Sequence, residues 1–163
     1  MHSGFYAKRS DPESRLTDKK AIIEVILHSS QSQSKFNQTI KRLKTEFRGT
    51  RINTVIKTRK LVPIDVIVEL VVQVSALLLY DVVKKLTTDF SNHKIPQRLD
   101  FETRYNLAQS YMLRNGIRQF KLKKKTDHGD ASSFTFVDKK KNNYSLKVGS
   151  DGSVSFKTSS QKQ

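Results

Sequence analysis

The side chains that most often carry out chemistry are few in this chain and stand far apart. The four histidines, His2, His28, His93 and His128, lie in four different sequence contexts, and no two have the spacing of shared metal ligands. The chain has no cysteine, which excludes disulfides, thiolate nucleophiles and zinc sites that use sulfur. We therefore expect neither a metal ion nor another cofactor.

Two further patterns resemble parts of active sites. Asp65 and Glu69 are four residues apart, a spacing that would place two carboxylates on one face of a helix. Without a histidine, a metal partner or a glycine-rich loop, they are better interpreted as a polar stripe. The segment "GSDGS" (149–153) lacks the Lys-Ser/Thr of a phosphate-binding loop and favours a hairpin turn. The sequence predicts a protein that is not an enzyme.

The basic residues show a clearer pattern. The chain has a net charge of +16 over 163 residues. Residues 35–60 contain nine Lys or Arg and one acid, and residues 114–163 contain twelve and four, so each block has a net charge of +8. The remaining segments are close to neutral. Because blocks of like charge repel themselves, this distribution favours an anionic partner.

The lysines of the second block alternate with apolar residues, which predicts an outward face of Lys, Ser and Thr and an inward face that holds the aromatic rings. Lysine and hydroxyl groups contact phosphate oxygens well but carry little sequence information. A face without aromatic side chains also argues against base stacking. We predict backbone binding of DNA, RNA or another polyanion, and a merely solvated surface is the alternative. The predicted contacts are Lys41, Lys44, Arg48, Arg51, Lys57, Arg59, Lys60, Arg118, Lys121, Lys123, Lys124, Lys125, Lys139, Lys140, Lys141, Lys147 and Lys157.

The elements that position these residues indicate an α+β fold. "AIIEVILHS" (21–29) and "RINTVIKT" (51–58) suit strands, and between them Phe36, Ile40, Leu43 and Phe47 share one helical face. The three form an N-terminal β-α-β unit, whose short connections favour a parallel strand pair. Asp100 begins a third helix that ends near Arg114, and a C-terminal four-stranded antiparallel meander follows.

The most apolar passage is "VIVELVVQVSALLLYDVV" (66–83). With its flanks it contains more than twenty residues and no turn residue, which exceeds an ordinary strand and predicts a long apolar central helix over 63–90. Asp65, Glu69, Gln73, Ala76, Tyr80 and Lys84 would form its polar arc. A soluble core helix is the main interpretation. A subunit interface that makes a homo-oligomer and a membrane helix over 61–80 are the alternatives.

The domain prediction follows from composition. Residues 1–18 and 159–163 are polar and without periodicity, which predicts two disordered ends around a single domain at 19–158, with a candidate sub-boundary near 91–98. The first eighteen residues hold no continuous apolar run, so we expect no secretory signal and a cytoplasmic location.

A family resemblance rests on the order strand, helix, strand, "PIDVIVELVVQVSALLLYDVVKKL" and then "FTFVDKKKNNYSL". This order resembles the effector-associated constant component modules of bacterial conflict systems, over about residues 21–86 and 134–148. The helix at 100–114 and the scarcity of small residues in the apolar segment depart from that family. The resemblance implies a non-catalytic adaptor that uses the 63–90 helix for protein interaction, which is the second functional hypothesis.

Overall fold

The computed structural model describes residues 18–57 and 66–160, which form three helices and two four-stranded antiparallel sheets. In chain order the elements are β1 (Lys19–Leu27), α1 (Ser30–Glu46), β2 (Arg51–Lys57), β3 (Val66–Val74), α2 (Leu79–Asn92), β4 (Gln97–Leu99), α3 (Phe101–Arg114), β5 (Phe120–Asp127), β6 (Ala131–Asp138), β7 (Asn143–Gly149) and β8 (Val154–Ser159).

Sheet A contains the first four strands in the order β2-β3-β1-β4, and every neighbouring pair is antiparallel. β1 and β2 therefore run parallel to each other, but β3 lies between them. The chain reaches β2 through α1 and reaches β4 through α2. Two interleaved β-α-β units of this kind form the ferredoxin-like, or split β-α-β, arrangement.

The two faces of sheet A differ because side chains alternate along each strand. One face, which includes the fully buried Ala21, Ile23 and Val25, packs against α1 and α2. Phe36 of α1 stacks on Phe90 of α2, with ring centroids 5.7 Å apart. The other face, which we name the open face, is only partly buried.

Helix α3 completes the edge of β1 that β4 leaves uncovered. β4 pairs only with Ile23–Val25. Beyond that point Thr103 Oγ1 accepts a hydrogen bond from the amide of Ile22 at 2.8 Å and donates one to its carbonyl at 3.3 Å. Asn106 Nδ2 donates to the carbonyl of Lys20 at 2.9 Å. Polar side chains of a helix thus replace a missing strand.

The other polar groups of α3 bind the rest of the molecule. Ser110 Oγ accepts from the amide of Tyr80 in α2 at 2.8 Å. Arg104, only 3% exposed, donates from Nη1 to the carbonyl of Gly129 between β5 and β6 at 3.0 Å. Because Leu107 is also buried, α3 lies in the centre of a core that includes residues of both sheets.

Sheet B contains the last four strands in chain order, β5-β6-β7-β8. Its inner face buries Phe134 and Phe136 against Tyr105 of α3, and the Tyr105 and Phe134 ring centroids are 5.4 Å apart. The turn after β7 returns to sheet A, where the carbonyl of Ser150 accepts from the amide of Leu99 at 2.8 Å. The opposite face of sheet B is its outer face.

The α+β class is confirmed, but the predicted fold is wrong at its centre and in its number of sheets. The segment expected to form one helix over 63–90 is strand β3, a turn at 75–78 and helix α2. The meander is the second of two four-stranded sheets, because β1 to β4 form one of their own. The prediction that β1 and β2 pair directly with each other is also wrong, since β3 lies between them.

No helix within 18–57 or 66–160 is long and apolar enough to cross a membrane. A continuous helix over 61–80 or 63–90 is wrong because Val66–Val74 is a strand. The homo-oligomer and the protein-interaction role predicted for this segment stay predictions. Asp65 and the predicted disordered residues at 1–17 and 161–163 lie outside the described residues. The third predicted helix is confirmed, and Asp100 Oδ1 accepts from the amide of Thr103 at 2.8 Å at its start.

Candidate nucleic-acid interface

The outer face of sheet B combines lysines with hydroxyl groups. Strand register places Lys121, Lys123 and Lys124 of β5, Lys147 of β7 and Lys157 of β8 on this side, and all five are exposed. We name these five residues the lysine face. The hydroxyl side chains on the same side are Thr126, Ser133, Thr135, Ser145, Ser155 and Ser159.

A β-bulge increases the density of lysine on this face. The pairing of β5 with β6 shifts between Leu122 and Lys124, so Lys123 is an extra residue opposite Thr135 together with Lys124. Lys123 Nζ lies 3.4 Å from Oδ1 of Asn143, an outer residue of β7. Without the extra residue, strict alternation would direct one of these two lysines inward.

The outer side chains form rows across the sheet. Lys124 lies opposite Thr135, Thr135 opposite Ser145, and Ser145 opposite Lys157. This row therefore has an ammonium group at each end and two hydroxyls between them. Because neighbouring strands are about 4.8 Å apart, the four strands make the row about 14 Å wide. Lys147 belongs to the next row, where Ser155 lies opposite it. Hydrogen-bond donors are thus available to a phosphate backbone both across the strands and along them.

The carboxylates of sheet B lie in its turns. Asp127 Oδ1 accepts from the amide of Gly129 at 3.1 Å, and this bond lowers the pKa of Asp127 below its usual value. Asp151 Oδ1 accepts from the hydroxyl of Ser153 at 2.7 Å, which lowers the pKa of Asp151 in the same way. None of the outward strand residues of β5 to β8 is acidic, so the lysine face has no internal counter-charge.

Asp138 anchors the turn between β6 and β7. Its carboxylate accepts from Asn142 Nδ2 at 2.9 Å and from the hydroxyl of Tyr144 at 2.8 Å. The bonds from Asn142 lower the pKa of Asp138, and the bond to Asp138 raises the pKa of Tyr144. This network holds the basic turn Lys139–Lys141, which adds positive charge at the end of the sheet.

Two other residues of the second basic block border sheet B. Arg118 lies with Lys139 and Lys140 around a shallow depression of about 370 Å³. Lys125 has the inward parity, and its Nζ lies 5.9 Å from the centre of the Phe101 ring. Lys139 borders the lysine face, because it lines another depression together with Lys121. Arg118 and Lys140 lie beside it, and Lys141 follows in the same turn, whereas Lys125 leaves the lysine face.

The structure does not bring the first basic block together. Lys41, Lys44 and Arg48 are exposed on or just after α1, which packs against the helix-covered face of sheet A. Arg51 and Lys57 are on β2 and point to the open face. Arg59 and Lys60 lie outside the described residues. The block predicted as one surface is thus divided between opposite sides of a sheet.

The open face of sheet A contains a cleft of about 630 Å³ beside the start of α3. Glu24 and Glu69 lie opposite each other on β1 and β3. Lys57 Nζ lies 2.5 Å from Glu69 and 3.8 Å from Glu24, while Arg98 lies opposite Glu24 on β4. Phe101 also lines the cleft, but the acidic side chains of the lining offset its basic ones, so the charge of the cleft does not favour a nucleic acid.

The residues considered for metal binding and for a phosphate loop can be located in the structure. Within 18–57 and 66–160 no three His, Asp or Glu residues are grouped as metal ligands. His28, His93 and His128 lie at the ends of three different elements, and His2 is outside the described residues. The hairpin prediction for 149–153 is confirmed, since the amide of Gly149 donates to the carbonyl of Ser153 at 2.8 Å.

Sequence reasoning missed the bulge and the role of the turn aspartates. The run "KLKKK" (121–125) breaks strict alternation, and that break was the available signal for an extra residue. Asp127, Asp138 and Asp151 each come directly before or within a turn segment, which was the signal for capping carboxylates.

No protein-family model matches the chain, and no curated protein matches it significantly. The resemblance to effector-associated constant component modules therefore stays a prediction.

Proposed function

We propose that this protein is a non-enzymatic polyanion-binding protein that holds DNA or RNA by its phosphate backbone on the lysine face of sheet B. The observation that carries the proposal is the set of five exposed lysines and six hydroxyls on one sheet face, without a carboxylate among the outward strand residues. Nucleic acid would supply the counter-charge that the face lacks.

The chemistry of the face favours the backbone over the bases. Ammonium and hydroxyl groups bind phosphate oxygens, whereas base readout needs forked donors such as Arg, Asn or Gln in a groove. The aromatic rings of sheet B point inward, as Phe134 and Phe136 do, so none is placed on the outer face to stack an unpaired base. The preferred ligand is a duplex, bound with little dependence on sequence.

The proposal implies further properties of the protein. It needs no cofactor and no metal ion, because backbone binding is electrostatic. It would act in the cytoplasm, where nucleic acid is accessible. A chain without cysteine is compatible with that reducing compartment, in which disulfides are rare.

The salt dependence of binding tests the proposal. If the five lysines of the lysine face each neutralise one phosphate, log K falls with log salt at a slope of about −4.5, and affinity drops about 500-fold between 50 and 200 mM salt. Fluorescence anisotropy with two unrelated DNA duplexes of about 20 base pairs gives this slope.

Two double variants that remove the same charge from different surfaces locate the binding site. Lys147→Gln with Lys157→Gln should reduce the slope to about −2.7, whereas Lys41→Gln with Lys44→Gln on α1 removes the same charge and should leave the slope unchanged. A slope near zero, a larger effect of the α1 pair, or a preference above about tenfold for one duplex would contradict backbone binding by the lysine face.

A further inference from the structure

Strand β2 is an open edge of sheet A. It is the terminal strand in the order β2-β3-β1-β4, and no other described strand pairs with its second side. Six of its seven residues are exposed, and only Ile52 is buried. Val55 and Ile56 are 52% and 68% exposed, and they are two of the four exposed large apolar residues in the part of the chain that the structure describes.

The backbone of β2 is suited to receive another strand. In an antiparallel pair every second residue directs its N–H and C=O groups away from the partner strand. Proteins usually protect such edges with bulges, prolines, very short strands or charged side chains. β2 has a charged residue only at each end, Arg51 and Lys57, and it pairs with β3 residue by residue between them without a register shift. The other edge of sheet A, β4, is three residues long.

The side chains of β2 define the charge of its partner. Arg51 and Lys57 lie on the open face, six residues apart, with Val55 on the same side. Thr54 and Ile56 point to the other side and are exposed as well. Lys57 Nζ lies 2.5 Å from Glu69 and 3.8 Å from Glu24, and its side chain is still 51% exposed, so a carboxylate of a neighbouring strand can approach it from the solvent side, while Arg51 is the main cation of the edge.

We propose that the β2 edge binds an extended acidic segment of another protein, which adds a fifth strand to sheet A. The segment has carboxylates six positions apart, opposite Arg51 and Lys57, and apolar side chains at the alternate positions. Opposite charges across neighbouring strands stabilise the pair. The spacing is the same read in either direction, so it fits a parallel or an antiparallel partner.

A second copy of this chain fits the edge poorly in the antiparallel register that pairs all seven residues of β2. Two β2 strands related by a twofold axis at Thr54 would place Arg51 of each opposite Lys57 of the other. Like charges directly opposite each other destabilise a strand pair. The same argument disfavours any basic segment.

The probe is the peptide Glu-Val-Thr-Val-Thr-Val-Glu, acetylated, amidated and labelled through a glycine linker. Two isomers with two N-methyl groups each, one methylated at positions 3 and 5 and the other at positions 4 and 6, have the same charge but block opposite edges of the peptide. The parent peptide and one isomer should bind within about twofold of each other, and the other isomer should lose at least about tenfold in affinity. Equal binding of both isomers, or no binding of the parent peptide, overturns the proposal.

Two charge reversals complete the test. Arg51→Glu should weaken parent-peptide binding about fivefold to tenfold. Lys157→Glu changes the net charge equally on sheet B and should leave it within about twofold, which separates the β2 edge from general attraction to the lysine face. Equal effects of the two reversals, or a dimer in sedimentation that Ile56→Lys dissociates, would overturn the acidic-segment assignment.

Discussion

Gly152 brings the turn between β7 and β8 against helix α2, and an alanine there tests how the two halves of the molecule meet. A Cβ atom at Gly152 would lie 3.0 Å from both Cγ2 and Oγ1 of Thr87. Thr87 is 3% exposed, and its Oγ1 donates to the carbonyl of Lys84 at 3.1 Å, so it cannot rotate away without losing that bond.

Gly129 provides the matched control. Its φ of +80° is close to the +84° of Gly152, but a Cβ atom there would meet nothing within 4 Å. Both substitutions by alanine should cost about 1–2 kcal/mol for the left-handed backbone. Gly152→Ala should cost about 1–3 kcal/mol more, because the added methyl group overpacks the contact with Thr87.

Urea unfolding at neutral pH measures both free energies. In a double-mutant cycle, Thr87→Ala removes the two atoms nearest to the new methyl group and should recover about 1–2 kcal/mol of the excess cost of Gly152→Ala. Equal costs for the two glycine substitutions, or no coupling between Gly152 and Thr87, would refute this description of the contact between the β7–β8 turn and α2.

Three further predictions follow from single residues. Deleting Lys123 should remove the bulge and keep the inward and outward alternation of the other residues of β5. The salt slope of DNA binding should then fall by about 0.9, as with Lys123→Gln, and the free energy of unfolding should change by less than about 1 kcal/mol. A deletion that unfolds the protein would refute the bulge assignment. The pKa of Asp138 is held below 3.8, chiefly by Asn142, so the ionised carboxylate should stabilise the folded protein above pH 3.8 and lose that effect as the pH falls through its lower folded pKa. The loss of unfolding free energy caused by Asp138→Asn, measured by urea unfolding, should therefore shrink towards zero in acid. A loss that does not depend on pH would contradict this role. Thr103→Val leaves two backbone groups of Ile22 unpaired and should cost about 1–3 kcal/mol by thermal unfolding, with faster hydrogen exchange at the Ile22 amide; unchanged exchange would contradict the edge-capping role.

The central apolar segment shows where a pattern of period 3.6 misled. Its polar residues Glu69 and Gln73 are four apart, which suits a helix, but they are also an even number apart and share one face of strand β3. Six of the nine residues of β3 are β-branched, which favours a strand. The change from valines to "ALLL" (76–79) marks the boundary, because β3 ends at Val74 and α2 begins at Leu79 without a glycine or proline.

Helix α3, and not the central apolar segment, is the helix that packs against residues of both sheets. Its sequence contains Thr103, Arg104, Asn106 and Ser110, all buried, which a hydropathy pattern treats as surface residues. Each of these side chains bonds to a neighbouring strand, helix or turn. Pairing of that kind depends on tertiary contacts and could not be predicted from the sequence.

The lysine face was partly predictable because alternation in β7 and β8 determines which side Lys147 and Lys157 occupy. The division of the first basic block was not, because it depends on which face of sheet A the helices cover. Helix α1 packs on the face to which Ile52 points, so Arg51, the residue before it, points to the opposite side.

Lysine acetylation with and without duplex DNA, read residue by residue by mass spectrometry, tests the central claim most directly. We expect DNA to protect the five residues of the lysine face, Lys121, Lys123, Lys124, Lys147 and Lys157, while Lys41 and Lys44 on α1 react as in the free protein. Protection of the α1 lysines in their place, or uniform protection of all of them, would contradict binding on sheet B.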